Sequence, residues 1–588
     1  MQEGYWKSQR KTVVEKLLIP IGLFILSFYD YDRGIDLTDA GYSLHFYQFF
    51  DEYEGTNIIP RFWSILLGHV ICGLPYGDTW KGVSFYCTFI IAFCAVTAYY
   101  FAKKYVGYKT AALCEVFALF FCWNPNVILY DYLSFFLFQL GIIFVFEGIE
   151  KDKAKWYIAA GFCLGINVFV RIPNIAQCAT IILVWISGLA RKKKFTKIVT
   201  DTLYCIMGYI VGISISLVAI LAFYNISDLH LALWRLAHAS NSLKNYSIWY
   251  MATATIIEVF KFCKYVVALL LVACIASAII FRLNNKKAKL IFEITVCLFV
   301  IVIFAYWSKK NGLMHLDYKW LNSVSKIASI FLLWALIASI WNFFEIKSVE
   351  NKLLALTYLG VFWVTPLGSN NYIYLEIMNM FLTIPLGVYQ IKTWGENRVL
   401  RKLLGDSFKK VYRSMIITVA SIMGLQIFVW GILYTYKDEC ECIVVSESKV
   451  NGMKTSLERK NELEQLEEYF QEEHLYGSYG ILYCNSPGLG YVLDIKPVMS
   501  SSWPDWYTYT YDDFFAGIQN AEQLVKTDNS PVVILSNAYS YSFEDIDNDH
   551  WEVVKDDKYF RLFEFLTDNK YECTYRTKNY SIYLRKEN

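Results

Sequence analysis

Long apolar segments constrain the fold of this chain more than any other feature of its sequence. A helix that crosses the hydrocarbon core of a bilayer needs about 20 mostly apolar residues. Thirteen segments are predicted as membrane spans: 17–31, 82–101, 109–124, 127–147, 156–171, 173–190, 203–223, 265–281, 290–307, 327–344, 353–367, 372–391 and 414–435. With 56% hydrophobic and only 18% charged residues, the composition excludes an ordinary soluble enzyme and a disordered chain.

Positive charge marks one side of the predicted spans. If the N-terminus is cytoplasmic, the inward loops carry most of the Lys and Arg, including seven basic residues within 392–413. Cytoplasmic enrichment of Lys and Arg is what orients membrane spans. An odd number of spans then places the C-terminal part outside. We therefore predict a multi-pass protein of a bacterial plasma membrane, with a cytoplasmic N-terminus.

The net charge of +2 conceals two different parts. Residues 436–588 hold 15 Lys and Arg against 28 Asp and Glu, a net charge of −13, whereas residues 1–435 carry +15. Such asymmetry between parts of a chain indicates different surroundings. The predicted fold is a polytopic α-helical membrane domain, 1–435, followed by an extracytoplasmic α/β domain, 436–588.

Strands alternate with helices in the predicted outer domain. The strand candidates are 480–484, 532–535, 571–575 and 580–584, and the helix candidates are 437–475 and 560–566. The turn-rich segment 485–490 predicts a plain loop, because its glycine spacing fits neither a P-loop nor a dinucleotide fingerprint. Whether Cys484 and Cys573 pair is left open.

The first outer loop, residues 30–80, is rich in carboxylates and aromatic rings. The rings from Tyr42 to Tyr53 recur at helical spacing, which predicts an amphipathic helix at the membrane interface, and 58–74 predicts a second surface helix. Just before the aromatic residues lie Thr38 and Asp39. A carboxylate here could serve as a general base toward a hydroxyl, or Asp39 or Thr38 could simply cap the helix.

Two ionisable residues lie near the outer ends of predicted spans, where they are costly. Asp131 and Arg171 could form a structural pair, or Arg171 could extend toward the interface. In the functional alternative, Asp131 belongs to a polar acceptor or metal site and Arg171 binds an anionic phosphate. Asn371 lies in a short outer turn and could hydrogen-bond sugar hydroxyls, or the turn could be only a connection.

The segment Thr38-Asp-Ala-Gly-Tyr-Ser-Leu44 resembles the Asp-x-Gly-Tyr-Tyr-Leu type of motif in the first outer loop of GT-C glycosyltransferases. The similarity is greatest to the family 39-like mannosyltransferase and aminoarabinose-transferase group. The aromatic residues that follow, the Asp-bearing span at 131 and Gly161-Phe-Cys-Leu-Gly165 before Arg171 are also similar. A polytopic body with an outer α/β domain matches the layout of that superfamily.

The resemblance implies sugar transfer from a polyprenyl-phosphate donor, with inversion, to a glycan, lipid or protein acceptor. It implies that Asp39 is the catalytic acid/base, that Arg171 and Arg61 lie near the donor phosphate, and that Tyr42 belongs to the site. Ala40 stands where many relatives have Glu, so dependence on Mg or Mn is left open. We expect membrane lipid as a partner and no nucleic acid. The alternatives are a lipid-linked glycan transporter or flippase, and a non-catalytic glycan-binding scaffold.

Overall fold

The structure is a computed structural model in which a long series of helices precedes a small α/β unit. It describes residues 11–586 with the exception of 123, 243–247, 312–320, 370–372, 397, 434–441, 445–447, 507–508 and 538–556. The described part is mostly helical and has a small C-terminal sheet, so the predicted fold class is confirmed.

The helices are numbered in chain order. They are α1 Ile19–Leu26, α2 Asp39–Gln48, α3 Gly55–Ile58, α4 Phe62–Cys72, α5 Trp80–Val106, α6 Tyr108–Phe121, α7 Leu129–Lys151, α8 Ala154–Asn167, α9 Ile182–Ala190, α10 Phe195–Phe223, α11 Ile226–Ser242, α12 Ile248–Arg282, α13 Lys286–Asn311, α14 Leu321–Glu345, α15 Val349–Val364, α16 Tyr374–Ile377, α17 Met380–Gly395, α18 Arg398–Leu433, α19 Leu457–Glu472, α20 Gly488–Val492, α21 Tyr511–Lys526 and α22 Asp557–Asp568. A 3-10 helix, Ile172–Ile181, leads into α9.

Seven helices of the described chain are long and apolar enough to cross a membrane. They are α5, α7, α9 with its 3-10 extension, α10, α12, α13 and α14. Each coincides with one of the thirteen predicted spans. The remaining six predicted spans fall on α1, α6, α8, α15, α16 with α17, and α18, and their crossing of a membrane stays a prediction.

Helices α8 and α10 cross through glycines on both sides. A Cβ on Gly161 would lie 1.9 Å from the Cys205 carbonyl oxygen, and one on Gly208 would lie 2.0 Å from the Ile158 carbonyl oxygen. Gly165 and Gly212, four residues further along each helix, make the same kind of approach. Small residues spaced by four allow close backbone contact between membrane helices. The segment noted in the sequence as Gly161 to Gly165 is therefore a helix-packing motif.

The C-terminal sheet has five strands in the order β4-β3-β5-β7-β6. Its strands are β3 Tyr479–Tyr483, β4 Lys496–Pro497, β5 Val532–Ser536, β6 Tyr571–Arg576 and β7 Tyr580–Arg585, and a separate pair joins β1 Cys442–Ile443 to β2 Lys454–Thr455. Strand β3 runs parallel to β4 and β5, while β7 runs antiparallel to β5 and β6. The four predicted strands are thus confirmed.

Two further predictions about this unit need correction. Within the described residues of the predicted helical segment 437–475, the helix is Leu457–Glu472, because β2 occupies the chain just before it. The segment after β3 is more than a plain loop, since it forms the short helix α20. Cys484 is a buried free thiol and Cys573 an exposed one, so these two cysteines do not pair.

Both faces of the C-terminal sheet are apolar. On one face, Ile481 and Val533 pack with side chains of α21 and α22. On the other face, Leu482 and Ile534 join one continuous core with α19 and the first outer loop. Strands that are buried on both faces read as unbroken apolar runs rather than alternating ones, which explains the sequences of β3 and β5.

Main-chain hydrogen bonds attach the first outer loop to the C-terminal chain. The Gly34 amide donates to the Lys454 carbonyl over 2.7 Å, and the Lys454 amide donates to the Asp32 carbonyl over the same distance. At the far end of the loop, the Trp80 amide donates to the Lys449 carbonyl over 2.7 Å. The loop is therefore held against the C-terminal unit at both its ends.

We expect Gly161→Ala to lower the stability of the membrane domain, because its Cβ meets main-chain atoms that cannot move aside. Overpacking typically costs about 1–3 kcal/mol. The measurement is the Tm of the purified protein in detergent. Gly360→Ala is the matched control, because a Cβ there meets nothing within 4 Å. Equal Tm values for the two variants would contradict the role of the glycine crossing.

Candidate functional site

The side chain of Asp36 caps the N-terminus of α2. The Asp36 carboxylate accepts hydrogen bonds from the Thr38 amide over 3.1 Å and from the Ala40 amide over 2.9 Å. Thr38 occupies the cap position but makes no side-chain cap bond. Asp36 therefore supplies a cap of the kind that helix ends require. Asp39 is the first residue of α2, and its side chain is exposed.

The prediction of one amphipathic interfacial helix through Tyr53 is wrong. The helix ends at Gln48, and the aromatic side chains of Phe46, Phe50 and Tyr53 are buried in the core that the loop shares with the C-terminal sheet. The periodicity shows which side chains form an apolar face, but not whether lipid or protein covers that face. The predicted second helix is present as α4.

Helix α2 contacts α20 of the C-terminal unit without side chains between them. A Cβ on Gly41 would lie 2.2 Å from the Gly488 Cα, and one on Gly488 would lie 2.9 Å from the Gly41 Cα. The Gly488 amide also donates to the Leu37 carbonyl over 2.8 Å. The segment 485–490 therefore docks on the buried face of α2 that contains Gly41.

Tyr47 joins α2 to the beginning of the membrane helix α7. Its hydroxyl donates to the Val127 carbonyl over 2.9 Å and accepts from the Leu129 amide over 3.2 Å. The side chain is only 1% exposed. Because α7 begins at Leu129, this pair of bonds fixes α2 relative to Tyr130 and Asp131.

Three aromatic rings surround the guanidinium group of Arg61. Its Cζ lies 5.0 Å from the ring centroid of Tyr42, 5.2 Å from that of Phe46 and 5.8 Å from that of Tyr130. Arg61 Nη2 also donates to the Tyr42 hydroxyl over 3.3 Å. Stacking on several rings holds a cation without neutralising it, so Arg61 remains able to attract an anion.

Helix α4 fixes Arg61 relative to the segment that leads to Arg171. The Trp63 amide donates to the Phe169 carbonyl over 3.1 Å. The Ser64 hydroxyl lies 2.7 Å from the Arg61 carbonyl and 3.4 Å from the Val170 carbonyl, as a donor to both. Hydrogen bonds therefore join the main chain just after Arg61 to the main chain just before Arg171.

Arg171 pairs with Asp131, which is the structural pair that the sequence analysis gave as one alternative. Arg171 Nη1 lies 3.6 Å from Asp131 Oδ1, and Asn124 Nδ2 donates to Asp131 Oδ2 over 2.5 Å. Arg171 Nη2 donates to the Gly368 carbonyl over 2.8 Å. Within the described residues, Asp131 Oδ1 accepts no hydrogen bond. A guanidinium has five N–H donors, so these contacts leave Arg171 with capacity for a further anion.

A buried amide network supports the backbone around Arg171. Asn167 donates to the Ser134 carbonyl over 2.9 Å and to Gln177 Oε1 over 2.7 Å, and Asn174 donates to the Ser134 hydroxyl over 2.7 Å. Gln177 in turn donates to Asn174 Oδ1 over 3.1 Å. A satisfied polar network inside an apolar region permits few alternative arrangements, and this one joins α7, α8 and the 3-10 helix after Arg171.

The structure brings most of the predicted site residues together around Tyr130. The Cζ atom of Arg61 lies 5.8 Å from the centroid of the Tyr130 ring, and Asp131, the next residue, pairs with Arg171. Asp39 lies three residues before Tyr42 in α2. Tyr42 joins the group through Arg61. Asn371 lies outside the described residues.

Sequence reasoning missed Tyr130 and the Gly368 carbonyl. Tyr130 is adjacent to Asp131 in the sequence, and this proximity was the available signal. The Gly368 carbonyl carries no signal, because every residue has a main-chain carbonyl.

The described residues do not fit a divalent metal at this position. Asp131 is bound by Arg171 and Asn124, and no three His, Cys, Asp or Glu side chains of the described chain group as ligands. Mg²⁺ and Mn²⁺ prefer several oxygen ligands. We therefore derive no step through a metal.

His45 links α2 to the C-terminal unit as a neutral ring. Its Nε2 lies 2.9 Å from the Ile495 carbonyl, to which it donates, and its Nδ1 lies 2.6 Å from the Tyr53 hydroxyl, from which it accepts. Burial lowers the pKa of His45 from 6.5 to about 4. The neutral tautomer that matches both partners is therefore the form present at neutral pH.

We expect this contact to weaken in acid. The unfolded chain takes up a proton at His45 below pH 6.5 that the folded chain refuses until about pH 4. The contribution of neutral His45 to the free energy of unfolding is thus complete above pH 6.5, and about 3 kcal/mol of that free energy is lost as the pH falls to about 4. The measurement is Tm against pH for the wild type and His45→Gln, which cannot titrate and should show the flatter profile. Parallel profiles would contradict the expectation.

No family model and no curated protein matches the chain. Its overall arrangement is similar to that of the Archaeoglobus fulgidus oligosaccharyltransferase AglB in complex with an inhibitory peptide and a dolichol-phosphate, with 10% identity, 88% of this chain and 69% of that chain covered, and a TM-score of 0.44. It is also similar to the apo form of the same oligosaccharyltransferase, with 10% identity, 88% of this chain and 69% of that chain covered, and a TM-score of 0.47. It is also similar to the arabinosyltransferase EmbB from Mycobacterium smegmatis (9% identity, 71% and 42%, TM-score 0.30). Since these TM-scores lie below 0.5, we base the function on the site residues.

Proposed function

We propose that the chain is a membrane glycosyltransferase of the GT-C type. The observation that carries the proposal is the placement of two arginines beside the neighbouring residues Tyr130 and Asp131, with the exposed Asp39 three residues before Tyr42, on which Arg61 stacks. A sugar transferase needs a base for the incoming hydroxyl and cationic groups for a departing phosphate. This cluster supplies both, on a loop that the fold holds rigidly.

Asp39 would act on the acceptor. Its carboxylate takes the proton of an acceptor hydroxyl as the hydroxyl oxygen attacks the anomeric carbon of the donor sugar. The bond from this carbon to the lipid phosphate breaks, and the configuration is inverted. A positioned general base contributes about 10²–10⁴-fold to a rate. The Asp36 cap fixes the first turn of α2, which carries Asp39.

Arg61 and Arg171 would hold the phosphate of a polyprenyl-phosphate sugar. As the bond to the sugar breaks, negative charge collects on the phosphate oxygens, and fixed cationic donors stabilise that charge. Arg61 is held by aromatic rings and Arg171 by Asp131 and the Gly368 carbonyl. Neither arginine therefore has to be reoriented while the charge develops.

The two other classes of function remain distinguishable by experiment. A transporter or flippase for lipid-linked glycans would move a polyprenyl-phosphate sugar across a proteoliposome bilayer without forming product. A non-catalytic scaffold would bind the donor without turnover. The transferase proposal places the reaction on the extracytoplasmic face, with the C-terminal domain, 436–588, on the same side as Asp39.

We expect Asp39→Asn to reduce kcat for transfer by about 10²–10⁴-fold with little change in donor binding. The amide keeps the shape of the side chain but cannot accept the proton. The assay uses purified protein with a panel of polyprenyl-phosphate-linked sugars. Glu52→Gln is the matched control, because it neutralises another exposed carboxylate of the same loop. Unchanged turnover in Asp39→Asn would reject the catalytic assignment.

Arg61→Gln is expected to weaken donor binding. Losing a charge-assisted hydrogen bond costs about 1.5–3 kcal/mol, which corresponds to a rise of about 10–100-fold in donor KM. Initial rates at varied donor concentration measure the effect. Arg33→Gln serves as the control, since Arg33 lies in the same loop but stacks on Tyr29, at 4.9 Å. A donor KM that rises equally in both variants would show that only the general charge of the loop matters.

A further inference from the structure

An aromatic path runs from the site into the C-terminal unit. The Tyr42 ring centroid lies 5.9 Å from that of Trp503, and the Trp503 centroid lies 4.5 Å from that of Trp506. Trp503 is buried, whereas Trp506 is only half-buried. The three rings therefore begin beside Asp39 and end at a partly open indole.

Polar bonds fix the orientation of these rings. Trp503 Nε1 donates to Asn485 Oδ1 over 3.0 Å, and the Asn485 amide donates to Asp505 Oδ2 over 2.6 Å. Asn485 has a positive φ of 49° and directly precedes the segment that docks on α2. The same short segment therefore positions both the tryptophans and the helix that carries Asp39.

A buried lysine holds the loop that carries the two tryptophans. Lys558 Nζ donates to the carbonyls of Pro504 over 2.9 Å, Trp506 over 3.1 Å and Tyr509 over 3.3 Å. Lys558 is only 7% exposed. Burying an ammonium group is costly unless its donors are satisfied, and here three main-chain carbonyls receive them. The buried charge of Lys558 therefore fixes the main chain of this loop.

Tyr42 separates two chemically different sides of the site. Arg61 stacks on its ring and forms the phosphate side, whereas Trp503 lies on the aromatic side. Asp39 is three residues before Tyr42 in α2, so the two side chains share one helix face. A base between a cationic side and an aromatic side can accept a proton from a molecule that rests on the aromatic rings.

We propose that Tyr42, Trp503 and Trp506 form a subsite for a saccharide acceptor, an inference that rests on the proposed function for its catalytic meaning. The C–H groups of a sugar ring carry partial positive charge and pack on the electron-rich face of an indole. Asn485 and Asp505 orient these rings, and the half-buried Trp506 is the indole that a sugar ring can reach. The acceptor of this enzyme is accordingly a glycan.

Binding is tested first, without catalysis. Tryptophan fluorescence of the full-length protein in detergent is titrated with soluble manno-, gluco- and N-acetylhexosamine trisaccharides, and separately with a Ser- and Thr-containing peptide. We expect a saturable change with at least one trisaccharide and none with the peptide. Trp506→Ala should weaken that binding at least tenfold, and Trp506→Phe should restore part of it. Trp249→Ala is the matched control, because Trp249 is 84% exposed on α12.

The proposal is overturned if no trisaccharide binds, if the peptide binds instead, or if Trp506→Ala and Trp249→Ala bind equally well. The kinetic test then separates the two proposals. If transfer is observed, Trp506→Ala should raise acceptor KM about tenfold and leave donor KM unchanged, and an unchanged acceptor KM would reject the subsite alone. Saccharide binding that persists while every polyprenyl-phosphate donor fails would reject the transferase proposal and leave the subsite standing.

Discussion

The C-terminal sheet is apolar on both faces, and this constraint organises the rest of the molecule. Helices α21 and α22 cover one face, so the other face must be covered by something else, because apolar area exposed to water costs about 25 cal/mol per Å². The first outer loop, together with α19, provides that cover. A loop that would otherwise be a flexible connection between two spans is thereby turned into part of a folded core.

The packing of the first outer loop against the sheet also makes the candidate site rigid. Helix α2 is held on one side by α20 through Gly41 and Gly488 and on the other by α7 through Tyr47. Asp39 therefore lies on a helix that both α7 and the C-terminal unit contact. The two parts cannot shift relative to each other without moving the carboxylate, and Tyr42 would move with it.

Sequence reasoning succeeded where a local pattern decides the structure. The apolar runs of β3 and β5 and the long apolar helices were predicted because strand and helix periods depend on neighbouring residues. It failed where the partner is distant in the chain. The rings of Phe46 and Tyr53 were assigned to lipid because nothing local shows that a sheet more than 420 residues away covers them. The cap was assigned to Thr38 or Asp39, since the reach of Asp36 depends on a turn that has no simple signature.

The bond from Arg171 to the Gly368 carbonyl has a consequence for how this region can change in evolution. A main-chain acceptor survives any side-chain substitution that leaves the backbone path intact, but Gly368 has a φ of +80°, and a Cβ there would lie 2.3 Å from Pro173. Selection for the arginine contact would therefore act on backbone shape at positions 173 and 368 rather than on a second functional group. In a set of related sequences, we expect a glycine and a proline to vary together here, although neither has any chemistry to contribute.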